Sequence, residues 1–191
     1  MPKCANSFGT NRLKPYFYPH QLGVGTPGRC EAAVHSTRRY LEALPPDHVV
    51  VKLDLSNAFN SIHRREMLLS VYDRIAELYA FCRSAYSQPS CLFFGPYIVS
   101  SEEGVQQGDP IGPLLFCNTI HPVLSSLESN LNLGYLDDVT LGGTVETVHQ
   151  MWLKLLGQAQ KSVCLSMCLS VNLLPIKTFR LTTACCSHSN G

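Results

Sequence analysis

The chain has 191 residues, 45% of them hydrophobic and 15% charged, with a formal net charge of +1. That composition suits one globular domain with a sizeable core and excludes a disordered chain. No apolar run reaches the ~18 residues of a membrane span, and a charge this small excludes attraction of polyanions through bulk charge, so any basic groups meeting nucleic acid must be local.

Residues 1–25, with Pro15, Tyr16, Phe17, Tyr18, Pro19 and Gly23-Val24-Gly25, read as an aromatic, turn-rich segment with little periodicity. Thr26-Pro27 is a helix-start signal, a capping hydroxyl followed by proline at the first helical position. Ala32, Ala33, Val34, Thr37, Tyr40, Leu41 and Leu44 follow at helical spacing until Pro45-Pro46 end the run. Val49-Val50-Val51-Lys52-Leu53-Asp54-Leu55 is a β-branched run expected as a strand buried on both faces, where an ionisable group at the end is costly unless paired or metal-bound. Ser56-Asn57 turns the chain. Residues 58–79 form one or two helices with Ile62, Met67, Leu68, Val71, Tyr72, Ile75 and Leu78 inward, and a short helix reaches Tyr86.

Cys91-Leu92-Phe93-Phe94 and Tyr97-Ile98-Val99, joined by Gly95-Pro96, read as a hairpin. Gly104-Val105-Gln106-Gln107-Gly108-Asp109-Pro110 is a polar loop opening an apolar helix to about Leu127, with Leu114, Leu115, Phe116, Ile120, Val123 and Leu124 buried. Residues 144–163 form an amphipathic helix that includes Val148, Met151, Trp152 and Leu155. In the tail, Leu169, Val171 and Leu173 alternate like a strand before the pattern fades.

Two dibasic pairs, Arg38-Arg39 and Arg64-Arg65, with Arg12, Lys14 and Lys52, are either a nucleic-acid contact or solvated helix faces. The nine cysteines lack the spacing of a disulfide framework. They point to a reduced, intracellular protein, nuclear or cytoplasmic. Cys164, Cys168, Cys185, Cys186 and His188 fit no zinc pattern and read as core or tail residues. His20, His35, His63, His121 and His149 have no acid or nucleophile at a diagnostic spacing and read as satisfied surface or core groups.

Tyr135-Leu136-Asp137-Asp138, between Asn132-Leu133-Gly134 and Val139-Thr140-Leu141-Gly142-Gly143, reads as a tight hairpin with acids at its tip. Two uncompensated carboxylates ~4 Å apart repel by about 4 kcal/mol at an effective dielectric of ~20. Alone, such a pair is most simply a solvated turn. With a third acid nearby it becomes a place for a divalent cation.

Three signals lie in a definite order: Asp54 ending a strand, a Gln-Gly loop opening a helix at 106–110, and Tyr-Leu-Asp-Asp on a hairpin. In that order they resemble motifs A, B and C of the reverse transcriptase palm. The wording of 54–62 and of 104–114 is closest to the non-LTR, LINE-like retrotransposon branch, and the likeness runs from about residue 10 to 160. The resemblance implies an α+β fold, a small antiparallel palm sheet with packed helices. Residues 1–45 would be a partial fingers segment, 46–163 the palm, and 164–191 a truncated remnant. It implies an RNA-directed DNA polymerase that extends a DNA primer on an RNA template with deoxynucleoside triphosphates, without a membrane.

Two Mg²⁺ ions, for which Mn²⁺ can substitute, would lie ~3.5–4 Å apart and clamp the attacking and leaving oxygens. Asp54 and Asp137 are the implied direct ligands, with Asp138 auxiliary and the carbonyl of Leu55 adding an oxygen. Phe59 would exclude a ribose 2′-hydroxyl, or simply pack in the core. Gln107 and Gly108 would line the nucleotide pocket, while Asp109 caps the helix. Gln21-Leu22-Gly23-Val24-Gly25 resembles a template-contacting segment, and Lys177 a pyrophosphate-protonating lysine. A basic fingers loop before residue 10 and a thumb after the palm are missing from the pattern. The alternative is therefore a catalytically inactive relic that only binds nucleic acid. Group II intron-type and telomerase-type reverse transcriptases share the site. An unrelated phosphohydrolase would need a His or Lys beside the acids, and the sequence shows none.

Overall fold

The computed structural model describes residues 1–55 and 57–162. The strand-like stretch at 169–173, Lys177, the cysteines at 164, 168, 185 and 186, His188 and Ser56 lie outside the described residues.

The β-branched run forms strand β1, His48–Asp54. The acidic hairpin forms β4, Leu131–Tyr135, and β5, Asp138–Thr144. They make one antiparallel sheet in the order β1-β5-β4, so β5 is central. Two further strands, β2 (Ser90–Phe94) and β3 (Tyr97–Ser101), pair only with each other. Cross-strand partners share a face, and here one face carries Val51, Leu53, Val139 and Leu141, all buried. On the other face Lys52 and Asp54 are exposed. The expectation that β1 is buried on both faces therefore fails at its end, and Asp54 carries no burial cost of its own.

The core is organised by helix α6, Gly112–Ser125, which is apolar all round and buried along nearly its whole length. Helix α7, Val145–Ser162, packs on it through Val148 and Leu155. Helices α3 (Ala58–Ser61), α4 (Arg64–Arg74) and α5 (Tyr79–Tyr86) follow β1, with one 3₁₀ turn at Ala76–Leu78. Met67, Val71 and Ile75 face inward as their spacing demands, but Tyr72 points to solvent.

Residues 1–25 are irregular only from Tyr18 onward. Helix α1 runs Pro2–Phe17 and buries Gly9, Leu13 and Phe17, a four-residue repeat hidden because its first position is glycine. A Cβ on Gly9 would lie 2.4 Å from Leu114 Cδ2, so this glycine is what lets α1 approach α6. Helix α2, Arg29–Glu42, starts two residues after Pro27; its N-cap is Gly28 in the left-handed region at φ 58°, and Thr26 caps nothing. No residue of α2 is fully buried; the helix lies against the outer side of β4.

The dibasic pair Arg64-Arg65 separates into two unlike residues. Arg65 is exposed, whereas Arg64 is 6% exposed and points inward. Its guanidinium donates to the carbonyls of Gly104 (3.0 Å), Ser101 (2.9 Å) and Gln88 (3.4 Å), and it lies over the Tyr86 ring. This one cation fastens the β2–β3 hairpin and the Gln-Gly loop to α4. Removing it leaves the buried Gly104 carbonyl unpaired, a loss of about 1–3 kcal/mol, and frees two part-buried acceptors at Ser101 and Gln88. Arg64→Ala should lower the unfolding midpoint by roughly 5–10 °C, against about 1 °C for Arg65→Ala, in thermal melts followed by circular dichroism.

Candidate functional site

The geometry of the acids follows from strand register. β1 pairs with β5 so that Asp54 stands opposite Asp138, and the Leu55 N–H donates to the Asp137 carbonyl at 3.3 Å. Tyr135 and Asp138 close the hairpin around a two-residue turn, Leu136-Asp137, with Leu136 at φ 56°. Asp54, Tyr135 and Asp138 therefore share the open sheet face, and Asp137 projects from the turn beside them.

Burial holds the Asp137 carboxyl above the ordinary aspartate range, and the charges of Asp138 and Asp54 push it the same way; a backbone hydrogen bond and Lys52 pull it down. The two other acids are thus close enough to act on it. Lys52 lies two residues before Asp54 on the same face, and its Nζ is 3.0 Å from Asp138 Oδ2. This corrects the expectation that no lysine stands beside the acids. Among the described residues no three His, Cys, Asp or Glu side chains are gathered closely enough to enclose a metal ion. The three carboxylates meet at one end of the sheet without converging. Their all-oxygen chemistry fits a hard divalent cation and does not suit a soft one. The Leu55 carbonyl accepts from the Ala58 N–H at 3.2 Å and keeps a second lone pair.

The loop at 104–110 is fixed by its own backbone. Gly104 N–H donates to Ile62 O at 2.9 Å and Val105 N–H to Phe59 O at 2.8 Å. A Cβ on Gly104 would meet the Asn60 backbone at 2.4 Å, so this position must be glycine. Gly108 has open space around it, and its φ of 85° is what calls for glycine there. Gln107 and Gly108 are both exposed. Asp109 is used internally: one oxygen accepts from Ile111 N–H at 3.1 Å, the other from the Tyr86 hydroxyl at 2.6 Å. Phe59 is half-buried and stacks on Phe116, ring centroids 4.2 Å apart. Cys117, next along α6, is fully buried beside the acids; burial and then the Asp137 charge raise its thiol pKa. α6 thus connects the loop to the acidic sheet.

A cleft of about 510 Å³ opens between α1, residues 24–29 and the start of α6, lined by Lys3, Asn6, Thr10, Arg29, Pro110 and Pro113 among others. Among the described residues its lining is polar, with two cations and no acid. Gln21, expected to contact a template, is fully buried and cannot. It instead holds the hairpin turn. His63 has an acid after all, Glu103 at 3.5 Å, and His121 Nδ1 is buried without a partner among the described residues. Burial, and then His20 and Arg74, lower the His121 pKa to about 4.

Comparison with known proteins adds the following. The profile of the family described as reverse transcriptase (RNA-dependent DNA polymerase) matches residues 2–171. No curated protein matches the chain in sequence. Among solved structures it is similar to apo telomerase from Candida tropicalis truncated from its C-terminal domain, with 14% identity and a TM-score of 0.64 over 86% of this chain and 38% of that one. Apo telomerase from the same organism gives 12%, 0.65, 86% and 34%. Candida albicans telomerase in complex with the TWJ fragment of telomeric RNA gives 10%, 0.66, 93% and 34%. At such identities the likeness is one of fold: helices packed on a small antiparallel sheet. The chain spans about a third of the length of these structures.

An aspartate held above its ordinary pKa destabilises the fold once ionised. Its contribution is absent below the unfolded-state value, about 3.9, and grows as pH rises through the raised folded-state value. Asp137→Asn should therefore raise the unfolding midpoint by roughly 1–3 °C at pH 7 and leave it unchanged at pH 3 in calorimetric scans.

Proposed function

The chain belongs to the reverse transcriptase family, whose profile spans residues 2–171, and from that premise we propose that it is the polymerising core of an RNA-directed DNA polymerase. The observation that carries this is the β1–β5 register, which seats Asp54 opposite Asp138 beside the Asp137 turn. Members of the family use divalent metal ions. Here Asp54 and Asp137 would hold two Mg²⁺, or Mn²⁺, with Asp138 and the Leu55 carbonyl adjoining. Such ions would supply positive charge against the triphosphate, and the three carboxylates would orient them toward it.

The remaining roles belong to the chain's own residues. Lys52 offsets part of the repulsion among the three acids through its contact with Asp138. Gln107 and Gly108, exposed on a loop fastened at both ends, line the nucleotide. Phe59, stiffened by its stack on Phe116, presents a ring that collides with a ribose 2′-hydroxyl and selects deoxynucleotides. The cleft with Lys3 and Arg29 suits the phosphates of an RNA template, because it offers cations and neutral donors and no acid among the described residues.

Residues 1–45 then serve as fingers and 46–163 as palm, a division supported by α1 and residues 24–29 lining most of the cleft while the acids lie on the sheet. The wording of 54–62 and 104–114 supports a non-LTR retrotransposon origin. No helix of the described residues is long and apolar enough to cross a membrane.

Primer extension on an RNA template, with the 191-residue chain and with a longer polypeptide that includes its flanking sequence, tests this reading. Deoxynucleotide incorporation should depend on Mg²⁺ or Mn²⁺ and fall to background in Asp54→Asn and Asp137→Asn. Phe59→Ala should raise ribonucleotide use relative to deoxynucleotide use by roughly 10-fold or more. Metal-independent extension, or extension that survives both aspartate changes, would refute it.

A further inference from the structure

The hairpin turn that carries Asp137 contains a conformational anomaly. Leu136 has φ 56°, in the left-handed region where a side chain without special support is disfavoured. Two-residue hairpins with this geometry ordinarily put glycine there. A leucine persists in such a backbone only if its surroundings over-determine it. Those surroundings come from far away in the chain.

Gln21 is fully buried, and its primary amide faces the Leu136 peptide groups. Its Oε1 accepts from the Leu136 N–H at 3.0 Å and from the Gly23 N–H at 2.8 Å, while its Nε2 donates to the Leu136 carbonyl at 3.3 Å. The two N–H donors fix which end of the amide is oxygen. Backbone contacts seat the same segment: Leu22 N–H donates to Gly134 O at 2.7 Å, and Gly134 N–H to His20 O at 2.6 Å. Two glycines give the amide its space. A Cβ on Gly23 would lie 2.6 Å from Leu136 N, and one on Gly134 would lie 3.2 Å from Gln21 Nε2. A side chain thus pairs with both the N–H and the carbonyl of a strained residue, the one just before Asp137.

We propose that Gln21 is a positioning residue for the polymerase site, setting the direction of Asp137 by clamping Leu136 in its left-handed conformation. This rests on the reading of Asp137 as a metal ligand. Without the amide, Leu136 relaxes toward negative φ and the Asp137 carboxylate swings out of line with Asp54. A buried glutamine that served only to fill space would leave the acids where they are.

The test uses Gln21→Met, which keeps length and burial but removes all three hydrogen bonds, with Val71→Ala as a core change of similar destabilising kind far from the turn. Amide hydrogen exchange at Leu136 and Mn²⁺ affinity by calorimetry are measured on both and on the unaltered chain. Gln21→Met should speed Leu136 exchange well beyond the change in its neighbours on β5 and weaken Mn²⁺ binding by about 10–100-fold. Val71→Ala should do neither. Leu136 exchange and Mn²⁺ affinity that shift no more in Gln21→Met than in Val71→Ala would overturn the proposal. If the unaltered chain binds no Mn²⁺, the polymerase reading fails on its own account, and Leu136 exchange alone decides whether the clamp exists.

Discussion

Everything at the site depends on the antiparallel register between β1 and β5. Side chains alternate along a strand, so a slip of one residue would exchange the two faces of β1. Asp54 would enter the core and Leu53 would meet water. The register is held from the apolar side by Val51, Leu53, Val139 and Leu141 against α6 and α7, and hydrophobic burial therefore decides where the carboxylates stand. The Leu55–Asp137 hydrogen bond extends that pairing past the end of the strand to the turn itself.

The site is built against its own electrostatics. Asp54, Asp137 and Asp138 act on one another, and the partly buried Asp137 bears the cost as a raised pKa. Lys52 relieves some of this through Asp138, from a position where half of its side chain stays in water, so the relief is modest. Backbone strain at Leu136 adds a second local cost. The compensation lies in the core, where α6 is buried all round, and in the fixed polar network from Arg64 through Tyr86 to Asp109 that holds the Gln-Gly loop. A stable frame that carries a strained, like-charged turn is what the proposed cation-binding centre would require.

Much of this was legible in the sequence. The order of Asp54, Gln107-Gly108 and Asp137-Asp138 foretold the acidic sheet, and the apolar run after Pro110 foretold α6. What the sequence concealed has physical reasons. α1 was missed because its inward repeat passes through Gly9, whose value is its lack of a side chain. Arg64 looked like its neighbour Arg65, and only tertiary contact separates a buried hub from a solvated charge. Lys52 could have been found from the alternation of a strand, since it shares a face with Asp54. Gln21 carried no local signal, because its partner is a backbone peptide 115 residues away.

The central claim is that Asp54 and Asp137 together hold the divalent cations. Crystals of the chain soaked in Mn²⁺ and measured at the manganese absorption edge would test it directly. Anomalous peaks are expected beside the Asp54 and Asp137 carboxylates, with Lys52 drawn away from Asp138. A peak at another place, or none at Mn²⁺ concentrations that saturate other members of the family, would contradict it.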